Sequence, residues 1–341
     1  MNNESLMKAF TVVTYPVVMS ENYLKERVDD CAEKIVRRSH KSKTAIKIDI
    51  IKEFYCRYIQ PEEYMRWEFE NKSLKERCAY WPDRIAVRKM KSPQNNVLSG
   101  NKYDRYLLFK DFVKRDLIFV EHDADWKVVA AFQEKHSPFV AKPYNGSKGR
   151  GIMLVDEHNL KEFEHELRSS KEGYVLEERI IQGEELARFH PQSVNTIRFA
   201  SMMDKEHHRV NAFALLRTGA GESFVDNVGA GGVAALIDTN TGIIISDGIC
   251  GDKHYQAHPD TGIVFKGSVI PAWDELLKIA DAVHGMYPKQ KVFGFDFAWT
   301  AKGWDIVELN PAPSFATYQA IIGRGIKEMA KEAGFSMEPP K

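Results

Sequence analysis

Glycine is absent from the first 99 residues of this 341-residue chain, and Gly100 is the first. A backbone that wraps tightly around a phosphate relies on glycine, so that stretch is not expected to hold such a loop. Cysteine is scarce: the four are Cys31, Cys56, Cys78 and Cys250, with no C-x-x-C pair and no zinc-ribbon or zinc-finger spacing. They are expected to be buried, reduced thiols of a cytosolic protein. Excess charge of either sign is also missing, since 48 Lys and Arg stand against 48 Asp and Glu. That balance excludes a general nucleic-acid binder, which needs cations to neutralise phosphates. With 43% hydrophobic residues it also excludes a disordered solvating chain. No run approaches the roughly 18 apolar residues of a membrane-spanning helix. The most signal-like stretch, residues 9–19, is interrupted by Thr11, Thr14 and Pro16, follows Glu4, and leads to no small-residue cleavage site. A cytoplasmic enzyme or binding protein of about two domains is the expectation.

What is present begins with helix signals. Tyr23, Val28, Cys31, Ile35 and Val36 recur near helical spacing behind Ser20 and Glu21, and a second run covers residues 46–58. Pro61 sits where a third helix would begin, carrying Tyr64, Trp67, Phe69 and Leu74. Between Arg84 and Arg115, Lys and Arg outnumber Asp and Glu, which suits either a solvated helix face or an edge that meets anions. Residues 95–101 have loop chemistry and suggest a domain boundary. Beyond them a helix is expected over residues 126–136, and strands over 139–142, 151–155 and 174–178. A helix capped by Asp156 or Asn159 runs to about Arg168. Strands follow over 193–203, 210–217 and 233–237, then an amphipathic helix over 273–284. Residues 292–300 and 304–309 flank the turn Ala301-Lys302-Gly303 as a hairpin, and a helix over 315–333 closes the chain. Helix and strand mix without regular βαβ alternation, so the fold class is α+β.

Two glycine-rich segments invite nucleotide readings. Gly146-Ser147-Lys148-Gly149-Arg150-Gly151 is not a P-loop, because no Gly-Lys-Ser/Thr ends it and a strand rather than a helix follows. It reads as a loop between antiparallel strands, either a plain basic turn or a flap whose N–H groups close over a phosphate, with Lys142 on the strand beneath. Gly229-Ala230-Gly231-Gly232-Val233-Ala234 fits the G-x-G-x-x-A fingerprint of dinucleotide folds. Its context is β-like, which argues for a close-approach loop before a strand. His254 and His258 are four apart, but they lie beside Gly251 and Pro259 and read as loop residues, not metal ligands.

The hairpin is the most informative segment. Asp296 sits among Phe293, Phe295, Phe297 and Trp299, and Glu308 is bracketed by Val307 and Leu309. Residues two apart in a strand share a face, so Glu308 and Asn310 point together, and in a tight hairpin Asp296 lies nearly opposite them. Three oxygen donors on rigid strands suit a hard-cation site of the Mg²⁺ type, completed by phosphates and water, the other reading being carboxylates on a solvated sheet face.

The order Lys102, Lys142 with its glycine loop, Glu178 with Glu185, then Asp296, Glu308 and Asn310 resembles the ATP-grasp superfamily over residues 100–325. The stretch His190-Pro191-Gln192-Ser193-Val194-Asn195-Thr196-Ile197-Arg198, followed by Val225-Asp226-Asn227 and Gly231-Gly232, resembles its sugar-transfer-associated branch, which is linked with bacterial cell-surface polysaccharide biosynthesis. The resemblance implies an ATP-grasp fold, two α+β subdomains clasping ATP, preceded by a helical N-terminal region. The divisions would be 1–98 helical, 99–178 small or lid subdomain, and 179–341 C-terminal subdomain with the metal and substrate site.

Residue by residue, the resemblance implies that Lys102 and Lys142 are the two ATP lysines and that Ser147, Gly149 and Gly151 belong to the lid over the phosphates. Glu178, Ile180 and Ile181 would form the adenine hinge. Glu185, or its neighbour Glu184, would bind the ribose. Asp296, Glu308 and Asn310 would hold two Mg²⁺ ions, and Asn195, Asn227, Gly231 and Gly232 would border the substrate. D-alanine–D-alanine ligases carry an Arg two residues before the metal Asp, where this chain has Gly294; Arg198 and Arg217 are the implied substitutes at the oxyanion. The implied activity is ATP-dependent carboxylate–amine ligation through an acyl-phosphate, with small-molecule acid and amine substrates, sugar-linked ones among them. A phosphotransferase or a non-catalytic ATP-binding module are the alternatives.

Overall fold

A computed structural model describes residues 21–90, 102–145, 151–206, 208–221, 231–251 and 253–336. The chain divides into two compact units: 1–91 with 251–253 and 312–341, and 92–250 with 254–311.

The first unit carries the helices α1 (Glu21–Val36), α2 (Lys43–Arg57), α3 (Pro61–Arg66), α4 (Leu74–Cys78) and α5 (Asp83–Met90). Ser42 starts α2 by accepting a hydrogen bond from Ala45 N at 3.2 Å, and the left-handed Tyr58 ends it. The third expected helix is shorter than its apolar pattern suggested. It stops at Arg66 because Glu68 turns left-handed (φ 52°), and Ser73 and Glu76 then form a capping box that starts α4. Trp67, Phe69 and Tyr80 are buried together as a result, with Ile35, Ile46 and Ile50 around them. The closing helix is also two pieces, Ala316–Ile322 and Lys327–Glu332, broken at the left-handed Gly323 (φ 65°). The indole of Trp67 donates to Ala316 O at 2.9 Å, and the Gln319 amide bridges both backbone groups of Trp81. Of the four thiols only Cys31 is buried; Cys56 and Cys78 are exposed and Cys250 is half-buried, contrary to the expectation.

The second unit carries two antiparallel sheets. The smaller one has the order β1-β4-β2-β3, from β1 (Leu117–Val120), β2 (Phe139–Pro143), β3 (Met153–Val155) and β4 (Tyr174–Glu178). Helix α6 (Lys102–Phe109) precedes it, and α7 (Trp126–His136) and α8 (Leu160–Ser169) cover one face, burying Val129, Phe132, Phe139, Phe163 and Leu167. The period of two sends Lys142, Val175 and Glu177 to the opposite face. β2 and β3 pair antiparallel, as the first glycine segment required, although residues 146–150 lie outside the described residues.

After the short helix α9 (Glu184–Ala187), the larger sheet comprises β5 (Thr196–Met203), β6 (Arg209–Thr218), β7 (Val233–Ile237), β8 (Gly248–Cys250), β9 (Lys253–Tyr255), β10 (Val292–Thr300) and β11 (Gly303–Asn310), in the order β11-β10-β5-β6-β7-β8-β9. Helix α10 (Trp273–Gly285) covers one face, packing Leu276, Ala280 and Val283 with Ile197, Phe199, Phe293, Phe295 and Phe297. The strand at 233–237 bears out the rejection of a dinucleotide-binding turn. Among the described residues no helix is long and apolar enough to cross a membrane.

Candidate functional site

The second face of the larger sheet carries the polar side chains. Across the hairpin Asp296 stands opposite Glu308 and Gly294 opposite Asn310, so the three expected ligand residues share one face. A bulge between Asp296 and Phe297 shifts the register and lets Val307 slip out of pairing. On the other side β5 sets Arg198 opposite Asp296, and β6 sets Arg217 opposite Thr196. Both arginines close on Asp296. Arg198 Nε donates to Oδ1, Arg198 Nη2 donates to Oδ2 at 2.9 Å, and Arg217 Nη2 lies 3.2 Å from Oδ2. Arg217 Nη2 also donates to Thr196 Oγ1 at 2.9 Å. Burial alone would raise the Asp296 pKa, but the two guanidiniums outweigh it and hold the carboxyl below its ordinary range.

This set fits a hard cation by its donor chemistry. A carboxylate offers about four lone-pair sites, and among the described residues the arginines contact Asp296 once at Oδ1 and twice at Oδ2. Oxygen donors alone on rigid strands suit Mg²⁺, which keeps waters and takes further oxygens from a phosphate.

A second buried ion network lies beside the first. Lys142 Nζ donates to Glu177 Oε2 at 2.8 Å, and Arg115 Nε donates to the same oxygen at 3.1 Å. Arg115 Nη1 reaches Asp305 Oδ2 at 3.0 Å and Ile306 O at 2.9 Å, joining β4 of the smaller sheet to β11 of the larger one. Burial would raise the Glu177 pKa, but the Lys142 and Arg115 cations bring it down to about 2. Sequence reasoning missed Glu177 and gave Arg115 no role of its own. The signal was the parity of β4, where only one of two consecutive glutamates can share the Lys142 face. Glu178 points the other way, accepting from Lys302 Nζ at 2.9 Å and Asp116 N at 3.0 Å.

Between the open face of the smaller sheet and β11 lies a cavity of about 60 Å³. Tyr103, Tyr106 and Leu117 line its apolar side, and Lys142, Glu177 and Glu308 its polar side. Lys142 and Glu308 therefore meet at one cleft.

The other expected residues fall into three groups. Lys102 opens α6, Ile180 is half-buried, Ile181 is 77% exposed, and Glu185 accepts from the Trp299 indole at 2.8 Å. Gly151 and Gly231 have φ of 71° and 100°, values glycine adopts readily, and Gly232 is buried. Ser147, Gly149, Asn227 and the Lys102 side chain lie outside the described residues. Asn195 stands just before β5. It is wholly buried, its amide donates to Leu186 O at 2.8 Å and His190 O at 3.1 Å, and its oxygen accepts from Ser193 Oγ at 3.0 Å. These bonds clamp the entry to β5. His258 is buried against Thr218 Oγ1 and Gly219 O, whereas the exposed His254 lies on strand β9 and not in the expected loop.

The family model described as "Sugar-transfer associated ATP-grasp" matches residues 112–334. No curated protein matches the chain. Among solved structures, the ATP-grasp ligase PsnB complexed with a minimal precursor is similar at 13% identity and a TM-score of 0.45, over 74% of this chain and 66% of its own. D-alanine–D-alanine ligase from Helicobacter pylori is similar at 17% identity and a TM-score of 0.45, over 70% of this chain and 61% of its own. N5-carboxyaminoimidazole ribonucleotide synthetase from Thermotoga maritima is similar at 13% identity and a TM-score of 0.40, over 70% of this chain and 52% of its own. The chain thus spans between about half and two thirds of these proteins.

Proposed function

Because the chain belongs to the sugar-transfer associated ATP-grasp family, we propose that it is an ATP-dependent carboxylate–amine ligase that works through an acyl-phosphate. The observation that carries the reading is the cross-strand pair Asp296 and Glu308, with Asn310 on the same face and Lys142 on the adjoining cleft. Oxygen donors and a cation are then gathered where a nucleotide polyphosphate would lie.

The chain's own groups divide the work. Lys142, with Lys102, supplies positive charge to the phosphates, and the segment containing Ser147, Gly149 and Gly151 closes over them. Backbone groups of residues 178–181 read the adenine edge, and Glu185 takes the ribose. Asp296, Glu308 and Asn310 would hold two Mg²⁺ ions, which would supply positive charge to the phosphoryl group. A substrate carboxylate attacks the γ-phosphorus in line, ADP leaves, and an amine then displaces phosphate from the acyl-phosphate to give an amide. Arg198 and Arg217 fix Asp296 and place positive charge beside the tetrahedral oxyanion. Asn227, Gly231 and Gly232 border the acceptor. The smaller sheet acts as the lid of a subdomain over residues 99–178, and the larger sheet belongs to the catalytic subdomain that follows. The substrate class is a sugar acid or amino acid destined for a bacterial cell-surface polysaccharide, in a cytoplasmic setting.

Product analysis tests this. The protein is incubated with ATP, Mg²⁺ and a panel of acids and amines, and the products are resolved by mass spectrometry. ADP, free phosphate and an amide in equal amounts support the ligase. A stable phosphorylated hydroxyl compound without free phosphate makes it a phosphotransferase, and nucleotide binding without turnover makes it a binding module.

A further inference from the structure

His190 and Ser193 converge with His258 and Asp260 on residues 218–221, at the end of β6, and Asn195 backs Ser193. Both histidine rings are buried. The protons of this cluster can be assigned one by one. The Asn195 amide donates to Leu186 O and His190 O, so its Oδ1 only accepts. Ser193 Oγ lies 3.0 Å from that oxygen and gives it the hydroxyl proton. The same Oγ accepts from Gly219 N at 3.0 Å. His190 Nδ1, 2.8 Å from this Oγ, must then donate to it. His190 Nε2 lies 3.0 Å from Gly221 O, a carbonyl that only accepts, so this nitrogen donates as well. A neutral ring carries one N–H and would set two lone pairs against each other at one of these contacts, with buried groups left unpaired. Asp260 supplies the opposite charge: its Oδ2 is 3.8 Å from His190 Nε2 and accepts from Gly221 N at 2.7 Å.

His258, whose ring centroid is 5.6 Å from that of His190, is the reverse case. Its Nε2 donates to Gly219 O at 2.9 Å and its Nδ1 accepts from Asp260 N at 3.3 Å, so this ring is neutral. Burial lowers its pKa against the pull of the Gly219 carbonyl and Asp260, and His190 acts in the same direction as burial.

We propose that His190 is a buried imidazolium whose second proton latches residues 218–221, and that the latch loosens when this proton is lost at higher pH. His190 is a positioning residue in this role, because Arg217, which reaches Asp296, directly precedes the held segment. The segment has no slack: a Cβ at Gly219 would stand 2.7 Å from both His190 Nδ1 and Ser193 Oγ. None of these contacts depends on a nucleotide or a metal.

The test uses the full chain with ¹⁵N-labelled histidine and proton–nitrogen correlation of the ring nitrogens at neutral pH. His190 should show both nitrogens protonated. Its signal is the one missing from His190→Gln or, should that variant not fold, the one displaced in Asp260→Asn. Hydrogen exchange of the Gly219 and Gly221 amides is the second readout. Above the ordinary imidazole range, about 6.5, only the latched segment holds the proton. Protection corrected for intrinsic exchange should therefore fall as pH rises, by up to about tenfold per pH unit for one proton released on opening. In His190→Gln nothing titrates at that position, and protection should stay level. A His190 ring with one bare nitrogen at neutral pH overturns the proposal. So does protection that stays level with pH in the unaltered protein, or that falls equally in His190→Gln.

Discussion

Removing the Arg115 guanidinium should unseat the contact between the two sheets of the second unit, and its size follows from what is left behind. In Arg115→Met, Glu177 keeps only Lys142, Asp305 keeps only the Lys114 backbone N–H at 3.0 Å among its described partners, and the carbonyls of Ile306 and Val307 lose a donor. Breaking a buried ion pair by deleting one partner costs about 3–5 kcal/mol. A carboxyl brought from an ordinary 4.5 to about 2 is stabilised by about 3 kcal/mol at neutral pH, which Lys142 and then Arg115 supply together, so Arg115 accounts for part of it. Because the folded-state pKa of Glu177 is depressed, its contribution is complete above pH 4.5 and is lost as the pH falls toward about 2. Urea unfolding, followed by a probe in the second unit, should show a loss of about 3–5 kcal/mol at pH 7. The loss should shrink as pH falls from 4.5 toward 2. A loss under about 1 kcal/mol at pH 7, the scale of an exposed pair, would refute the reasoning.

Three further outcomes are expected. Glu308→Ala should lower Mg²⁺-dependent ATP turnover by roughly 10²–10³-fold, the scale for one preorganised electrostatic group, with an unchanged melting curve; near-normal turnover would remove Glu308 from the metal site. In the helical unit, burial and then the nearby Asp83 carboxylate push Glu63 up to about 8, so between pH 4.5 and about 8 only the folded chain holds that proton and stability falls as pH rises. Glu63→Gln should flatten that slope in thermal melts taken across the window, and an unaltered slope would count against it. Asn195→Ala should destabilise the protein by about 2–3 kcal/mol through unpaired buried groups, while the KM for acid and amine stays within about twofold.

Much of this architecture was legible in the sequence, for physical reasons that differ by element. The β10–β11 hairpin was read almost to the residue because apolar alternation and a glycine turn fix register and face together. The register then delivered the Asp296–Glu308 pairing without further assumption. Strand β1 was not foreseen, since four apolar residues carry no period of their own. The helix breaks at Glu68 and Gly323 come from single left-handed residues inside continuous apolar patterns. Within the site, the ion partners were the hidden part. Arg115 is 62 residues from Glu177 and 190 from Asp305, and composition alone reads such a residue as surface charge. The backbone bonds of Asn195 were hidden too, because a polar residue beside a strand entry looks the same in sequence whether it faces a ligand or ties down its own backbone.

The most direct test of the ligase reading follows an oxygen atom. An accepted acid labelled with ¹⁸O in its carboxylate is turned over with ATP and its amine, and the released phosphate is analysed by mass spectrometry. The account predicts that one ¹⁸O passes from the carboxylate into phosphate at each turnover, because the acyl-phosphate oxygen leaves with phosphorus. Amide formed with unlabelled phosphate would contradict it.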